Sequence, residues 1–374
     1  MKTLAPFVLA SLVAACASST AATETAQDAV EPATGGFTAG ATGAGSASSG
    51  DCVKDPSFYD VPGDGCDNDD DGTVDNARSC DDVGGDGATD FAHAIGICHD
   101  AEKDGFGLVG AEFLRGFDDA SAPEPAQHGV LSKFGDELRP REGSLLGVLS
   151  TGFAQEFNGK SGRAFADGQK WWGWKTSRTA LPPGYPKATE NCKQHGNVAD
   201  VIVLKLTLKA PKNAAGLKFD FDFHSSEWPA FVCSQFNDGF IAFLTSKATN
   251  DNISFDAKNN PVSVNNAFFD RCTPGAKTGC AGNEKASALC PAGPDELAGT
   301  GFGLVGFGCD AKKATKGGAT GWLTSAAPIE AGETFTLQLA IWDTGDANLD
   351  SSVLVDNFQW VGAAVPEPTT ERVR

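Results

Sequence analysis

Basic residues are scarce in this chain of 374 residues: 29 Lys and Arg stand against 49 Asp and Glu, a formal net charge of −20. Phosphate neutralisation needs a basic face, so this balance excludes nucleic acid as a partner. It also excludes docking on anionic lipid through charge. Tyrosine is nearly missing, with 2 against 25 Phe, so most aromatic mass lacks a polar handle and suits a core better than a wet recognition face. The few histidines (His93, His99, His128, His195 and His224) form no HExxH pair and no pair at metal spacing. There is no GxSxG elbow and no SxxK, and long helical patterns are absent. Apolar residues nevertheless make up 41%, enough for a real core. With 45 Gly and 19 Pro, the composition favours a turn-rich β protein over a helical bundle.

The chain opens with an address. Lys2 is a minimal positive region, and Leu4 to Val13 is an apolar run too short to span a bilayer, so residues 1–15 read as a signal peptide. Val13-Ala14-Ala15-Cys16 resembles the lipobox of bacterial lipoproteins. That resemblance implies cleavage before Cys16, lipidation of its thiol, and export to an outer membrane or cell surface, since no Asp follows the Cys. A plain secretory signal is the alternative reading. Cysteine parity favours the lipoprotein: of 11 Cys, setting Cys16 aside leaves ten, which can pair completely in an oxidising compartment. Which pairs with which stays open at this level. Within residues 17–50, 27 of 34 are Ala, Gly, Ser or Thr. Residues 16–50 therefore form a lipidated Cys with a flexible tether, whose coil reaches about 30–35 Å.

Residues 51–90 carry 13 Asp and only Lys54 and Arg78, contributing −11 of the net charge. In the Asp-rich segment 51–79, Asp67, Asp69 and Asp71 alternate, Gly72 follows, and Asp75 comes four after Asp71. This matches positions 1, 3, 5, 6 and 9 of a calcium loop, with the Thr73 carbonyl at position 7. Alternate residues aim carboxylates into one concavity, and oxygen ligands without His or Cys favour Ca²⁺ over Zn²⁺. At position 12 Arg78 replaces the bidentate Glu, and Asp64, Asp81 or Asp82 are candidates to complete the shell. The segment also resembles the short aspartate-rich metal-binding motif of bacterial surface proteins, roughly DGxDNDCDGxxD, with its Cys displaced to Cys66. A solvated acidic linker is the alternative.

Leu217 to His224 alternates strictly, the pattern of a half-buried strand, and Phe335, Leu337, Leu339 and Ile341 repeat that period in Thr334 to Trp342. Val201–Leu208, Phe240–Leu244 and Val353–Trp360 are further strands, and Asp90–His99 is one short helix. The expected fold is mainly β: a two-sheet antiparallel β-sandwich of jelly-roll type, with few short helices and an N-terminal calcium loop. Four motifs in order make residues 80–362 similar to the choice-of-anchor L domain of secreted bacterial proteins. They are Phe221–Pro229, Phe236–Phe240, Pro261–Asn266 and Leu349–Phe358. The resemblance implies location and fold far more than activity. Residues 363–374 read as a frayed tail.

Catalytic-looking signals are weak. Gly105–Gly110 and Gly301–Gly306 both read GFGLVG and fit GxGxxG, but neither sits between a parallel strand and a helix. Asp343-Thr344-Gly345 matches the aspartic-protease triplet without a second copy, and reads as a turn. Glu227, Asn237, Asp238, Asp356 and Asn357 are a candidate second site for Ca²⁺ or sugar hydroxyls, the alternative being hydrogen bonds that hold strand ends. Trp171, Trp172 and Trp174 could stack on sugars, though packing is the commoner role. The expected protein is a calcium-stabilised cell-surface lipoprotein and not an enzyme. It would meet the membrane through its lipid and present the sandwich to an extracellular glycan or protein. A carbohydrate-binding module is the alternative; a glycoside hydrolase, needing paired carboxylates across a cleft, is less favoured.

Overall fold

The computed structural model describes residues 52–154 and 175–373, apart from 77, 82, 177–179, 193–195, 266–267, 282–285, 304–307, 310–315 and 346. Cys16 with its signal and tether, Asp82, Trp171, Trp172, Trp174, His195, Asn266 and Leu304–Gly306 lie outside the described residues.

After one helix, α1 (Ala88–Ala94), the chain is built of strands. They are β1 (Gly107–Leu114), β2 (His128–Leu131), β3 (Leu146–Ser150), β4 (Lys175–Thr176), β5 (Val198–Lys209) and β6 (Gly216–Ser225). Next come β7 (Gly239–Thr245), β8 (Asn250–Asn252), β9 (Val262–Ser263), β10 (Lys277–Thr278), β11 (Ala286–Ser287) and β12 (Gly318–Ala319). The last are β13 (Leu323–Pro328), β14 (Thr334–Thr344), β15 (Ser351–Val361) and β16 (Thr369–Arg372). One seven-stranded sheet runs β1-β5-β14-β7-β8, with β4 on β5 and β9 on β7; the other runs β16-β13-β6-β15-β3-β2, with β12 beside β6. Both are antiparallel and pack together as a β-sandwich. β10 and β11 make a separate hairpin.

The alternation in β6 puts Leu217, Phe219, Phe221 and Phe223 between the sheets, where all four are fully buried. They meet Phe335, Leu337, Leu339 and Ile341 of β14 and the inward residues of β5 and β7 in one cluster. Phe221 and Phe240 close the gap with ring centroids 5.0 Å apart. Burying each such ring contributes about 2–3 kcal/mol. β6 is not half-buried as its pattern predicts. Its other face is covered as well: His224 by a second cluster that includes Phe134 and Phe302, Asp222 by the Thr320 hydroxyl, and Asp220 by Arg141, Thr324 and Asn357. The His224 ring lies against Phe134 and Phe302, at 5.3 and 5.4 Å, and its Nε2 is 3.2 Å from Asp222 Oδ2.

Two local expectations change. The helix stops at Ala94 because Gly96 takes a φ of 95°, and the Gly96 and Ile97 amides donate back to the His93 and Ala92 carbonyls. This is a Schellman end that only glycine adopts easily. The tail 363–374 does not simply fray. Thr369–Arg372 pairs with β13, Thr370 Oγ1 accepts the Phe255 amide at 3.0 Å, and Arg372 bonds Asp270 at 2.8 Å.

Five disulfides use all ten remaining cysteines: Cys52–Cys66, Cys80–Cys98, Cys192–Cys233, Cys272–Cys290 and Cys280–Cys309. Among the described residues, no helix is long and apolar enough to cross a membrane.

Candidate functional site

The Asp loop is held at both ends. Cys66 is tied to Cys52, and the Asp55 amide bonds the Asn68 carbonyl at 2.9 Å. Asp60, almost fully buried, accepts the amides of Asn68 at 2.9 Å and Asn76 at 2.6 Å. That frame brings carboxylate oxygens of Asp67, Asp69 and Asp71 within 4.8 Å of one another. Asp75 takes another part: its Oδ1 accepts the Gly63 and Gly65 amides, at 2.9 and 3.2 Å. Thr73 donates its amide to Asp71 Oδ1 at 2.8 Å, and Asn76 Nδ2 donates to Asp71 Oδ2 at 2.8 Å. Asp64 caps the Cys66 amide at 2.8 Å, and Asp81 accepts the Ser144 amide.

The loop's charge is unevenly balanced. Lys54 bonds Asp67, which holds that carboxyl below its ordinary value. Asp69 goes the other way: partial burial, then the neighbouring Asp71, Asp60 and Asp67, push it up. A carboxyl raised by burial and, less, by like charges is one that a cation would relieve.

The loop docks on the sandwich through Tyr59. Its amide and carbonyl both bond the Asn213 side chain, at 3.0 and 2.7 Å, and its ring meets Phe106 edge-on at 6.5 Å. Between loop and body lies a cleft of about 450 Å³ lined by Phe58, Tyr59, Asp69, Asp71, Asn76 and Phe106. His99 and Asp104 border it too, with His99 Nδ1 3.5 Å from Asp104 Oδ2. Burial holds the His99 imidazole below its ordinary value despite that carboxylate. Composition gives no sign of this cleft, because its walls come from segments far apart in the chain.

The five residues of the candidate second site fall into two groups. Glu227, Asn237 and Asp238 are buried at one end of the sandwich. There Asp238 Oδ1 accepts the Thr344 amide at 3.0 Å and Oδ2 accepts the Ser351 hydroxyl at 2.7 Å. Asn237 Oδ1 accepts the Asn265 amide at 3.0 Å. Asp356 and Asn357 lie further along β15, about 16 Å from Ser351 at ~3.3 Å per residue. Asp356 accepts the amides of Arg141, Glu142 and Asn357, and Asn357 Nδ2 donates to Asp220 Oδ2 at 2.9 Å. Burial raises the Asp356 carboxyl to about 7 in spite of those amides.

Among the described residues, neither glycine-rich motif has the strand–helix setting of a dinucleotide site. Gly107 begins β1, and a Cβ there would stand 2.0 Å from the His99 carbonyl oxygen, so the glycine serves a close backbone approach. Gly301–Gly303 is a single turn of 3₁₀-helix. Asp343 is not in a turn: β14 continues through Thr344, and Asp343 is buried within it.

No curated protein and no solved structure matches the chain. The sequence model of the choice-of-anchor L domain matches residues 129–358, more than half of the chain and most of both sheets. The chain therefore belongs to the choice-of-anchor L domain family, and is a surface-associated β-sandwich protein.

Proposed function

We propose that this protein is an exported lipoprotein, anchored through Cys16, that presents a calcium-stabilised and non-catalytic sandwich for binding or adhesion. The observation that carries the reading is the convergence of the Asp67, Asp69 and Asp71 oxygens within 4.8 Å on a frame fixed by Cys52–Cys66 and Asp60. The donor set is all oxygen, which suits a hard cation. Those three carboxylates would hold calcium, with the Thr73 carbonyl and Asp75 as the remaining candidates. Lys54 occupies Asp67 and would have to give way. Lacking a bidentate Glu at Arg78, the site should bind with a dissociation constant on the order of 10⁻⁴–10⁻³ M.

Calorimetric titration with Ca²⁺ tests the loop. Wild type and an Asp55→Ala control should give heat of binding, and Asp69→Ala should give much less. Equal heats from all three, or none from wild type, would remove calcium from the reading. Detergent partition tests the anchor: Cys16→Ser should leave the detergent phase, and unchanged partition rejects lipidation.

The cleft beside the loop favours a carbohydrate ligand as a second reading. Phe58 and Tyr59 offer apolar faces, and Asn76 and Asp104 offer hydroxyl partners in the same space. Oligosaccharide binding that survives Tyr59→Ala would count against it.

A further inference from the structure

The alternation that buries Phe335, Leu337, Leu339 and Ile341 in the core continues one step further along β14, and the next inward position is Asp343. Its side chain is 2% exposed, and neither carboxylate oxygen has a hydrogen-bond partner. Among the described residues the Thr151 hydroxyl is the one donor beside it, and its single proton is shared with the Ser351 carbonyl at 3.3 Å. An ionised carboxylate left this way costs several kcal/mol. Something must neutralise it.

Three other acidic side chains lie close enough to act on its charge, each delivered by a different segment. Asp200 sits in a bulge: Ile341 pairs with Ile202 and Asp343 with Ala199, so two residues of β5 face one of β14. Asp200 itself takes a φ of 50°, unusual for a residue with a Cβ. Asp238 grips the residue after Asp343 through the Thr344 amide, and Ser351 on the opposite sheet. Asp350 precedes Ser351 and lies over Gly152, where a Cβ would come within 2.2 Å of its Oδ2. Burial, then Asp238, Asp200 and Asp350, push the Asp343 carboxyl well above its ordinary value.

We propose that this buried end of the sandwich is a second cation site, in which Asp343, assisted by Asp200, Asp238 and Asp350, takes a hard divalent cation of the calcium class. One proton on Asp343 would relieve a single charge, whereas a divalent cation relieves several of these carboxylates at once. Oxygens that share a calcium at 2.3–2.6 Å stand up to about 5 Å apart. The donors are carboxylates and hydroxyls, which disfavours zinc. Among the described residues only the loop trio already has three acidic oxygens within 4.8 Å of each other, so the buried side chains must draw in around the ion. Because β14 and β15 belong to opposite sheets, the ion would tie the sheets together at this end.

The test uses the full chain freed of metal by chelator. Bound calcium is counted by equilibrium dialysis with elemental analysis, and melting is followed with and without millimolar Ca²⁺. Asp69→Ala should keep one calcium per chain and most of the calcium-dependent rise in melting temperature. Asp343→Asn should lose one calcium and most of that rise. It should also melt in chelator at or above wild type, since the amide carries no charge. The double variant should bind none. An Asp69→Ala protein that binds no calcium overturns the proposal, as does an Asp343→Asn protein with wild-type stoichiometry and rise. Wild type with one calcium that only Asp343→Asn removes would support this site and reject the loop.

Discussion

The two acidic centres of this molecule are made in opposite ways. The Asp loop draws its carboxylates from five consecutive residues, Asp67 to Asp71, and keeps most of them in contact with water. The end of the sandwich draws its acids from positions 200, 238, 343 and 350, and all four are buried. In the loop, repulsion between carboxylates is screened by solvent and shared with Lys54. In the sandwich the same repulsion acts in a medium of low dielectric, so protonation and ion binding couple strongly to folding. Acidic clusters of similar composition therefore differ in what they control: one the order of a loop, the other the joining of two sheets.

The sharpest way to break this contrast is Asp238→Ala. It leaves the Thr344 amide without its acceptor in the interior and the Ser351 hydroxyl with Ser225 Oγ alone, which should cost about 2–4 kcal/mol. Denaturant unfolding measures it, and a loss no greater than that of Asp71→Ala would erase the distinction. A pH series comes next. Asp356 has a folded value of about 7 against an ordinary 3.8. Between those values the unfolded chain has released a proton that the folded chain keeps, so stability should fall as pH rises from about 4 to 7 and level off above. At ~1.4 kcal/mol per unit the total is on the order of 4 kcal/mol. Asp356→Asn should flatten that part of the profile, and an unaltered slope would show that another group sets it. Asp69→Ala should leave the melting temperature in chelator unchanged while removing the loop's calcium heat. A broad loss of stability would mean that the loop and body are one cooperative unit. The smallest effect is expected from Lys54→Ala: little change in melting, but tighter calcium binding, because the cation no longer competes with an ammonium for Asp67. Weaker binding in that variant would mean that Lys54 orients the loop instead.

Much of the framework is legible in the residues. β6 and β14 announce themselves because their alternation is long and their inward residues are large. The loop trio is legible because its ligands are neighbours in sequence. The burial of Asp220, Asp222 and His224 is not, since what covers that face arrives from residues as distant as Phe134 and Phe302. β16 was hidden for a related reason. Thr369–Arg372 has no apolar alternation, and pairs because β13 offers an open edge and Asp270 holds Arg372. Asp343 was misread as a turn because an aspartate at an inward strand position contradicts the usual rule, and nothing local explains the exception.

The disulfides Cys272–Cys290 and Cys280–Cys309 interleave rather than nest. Any single cleavage between Cys272 and Cys309 leaves the two fragments joined by at least one of these bonds. Two cuts release a fragment only when both fall on the same stretch between successive cysteines of this set. The described residues of this region hold little regular structure beyond the small β10–β11 hairpin and short 3₁₀ turns, the kind of backbone that secreted proteases reach first. Outside the cell a chain is not resynthesised in place. This crossing lets the exposed region be nicked there while the molecule on either side stays one covalent piece.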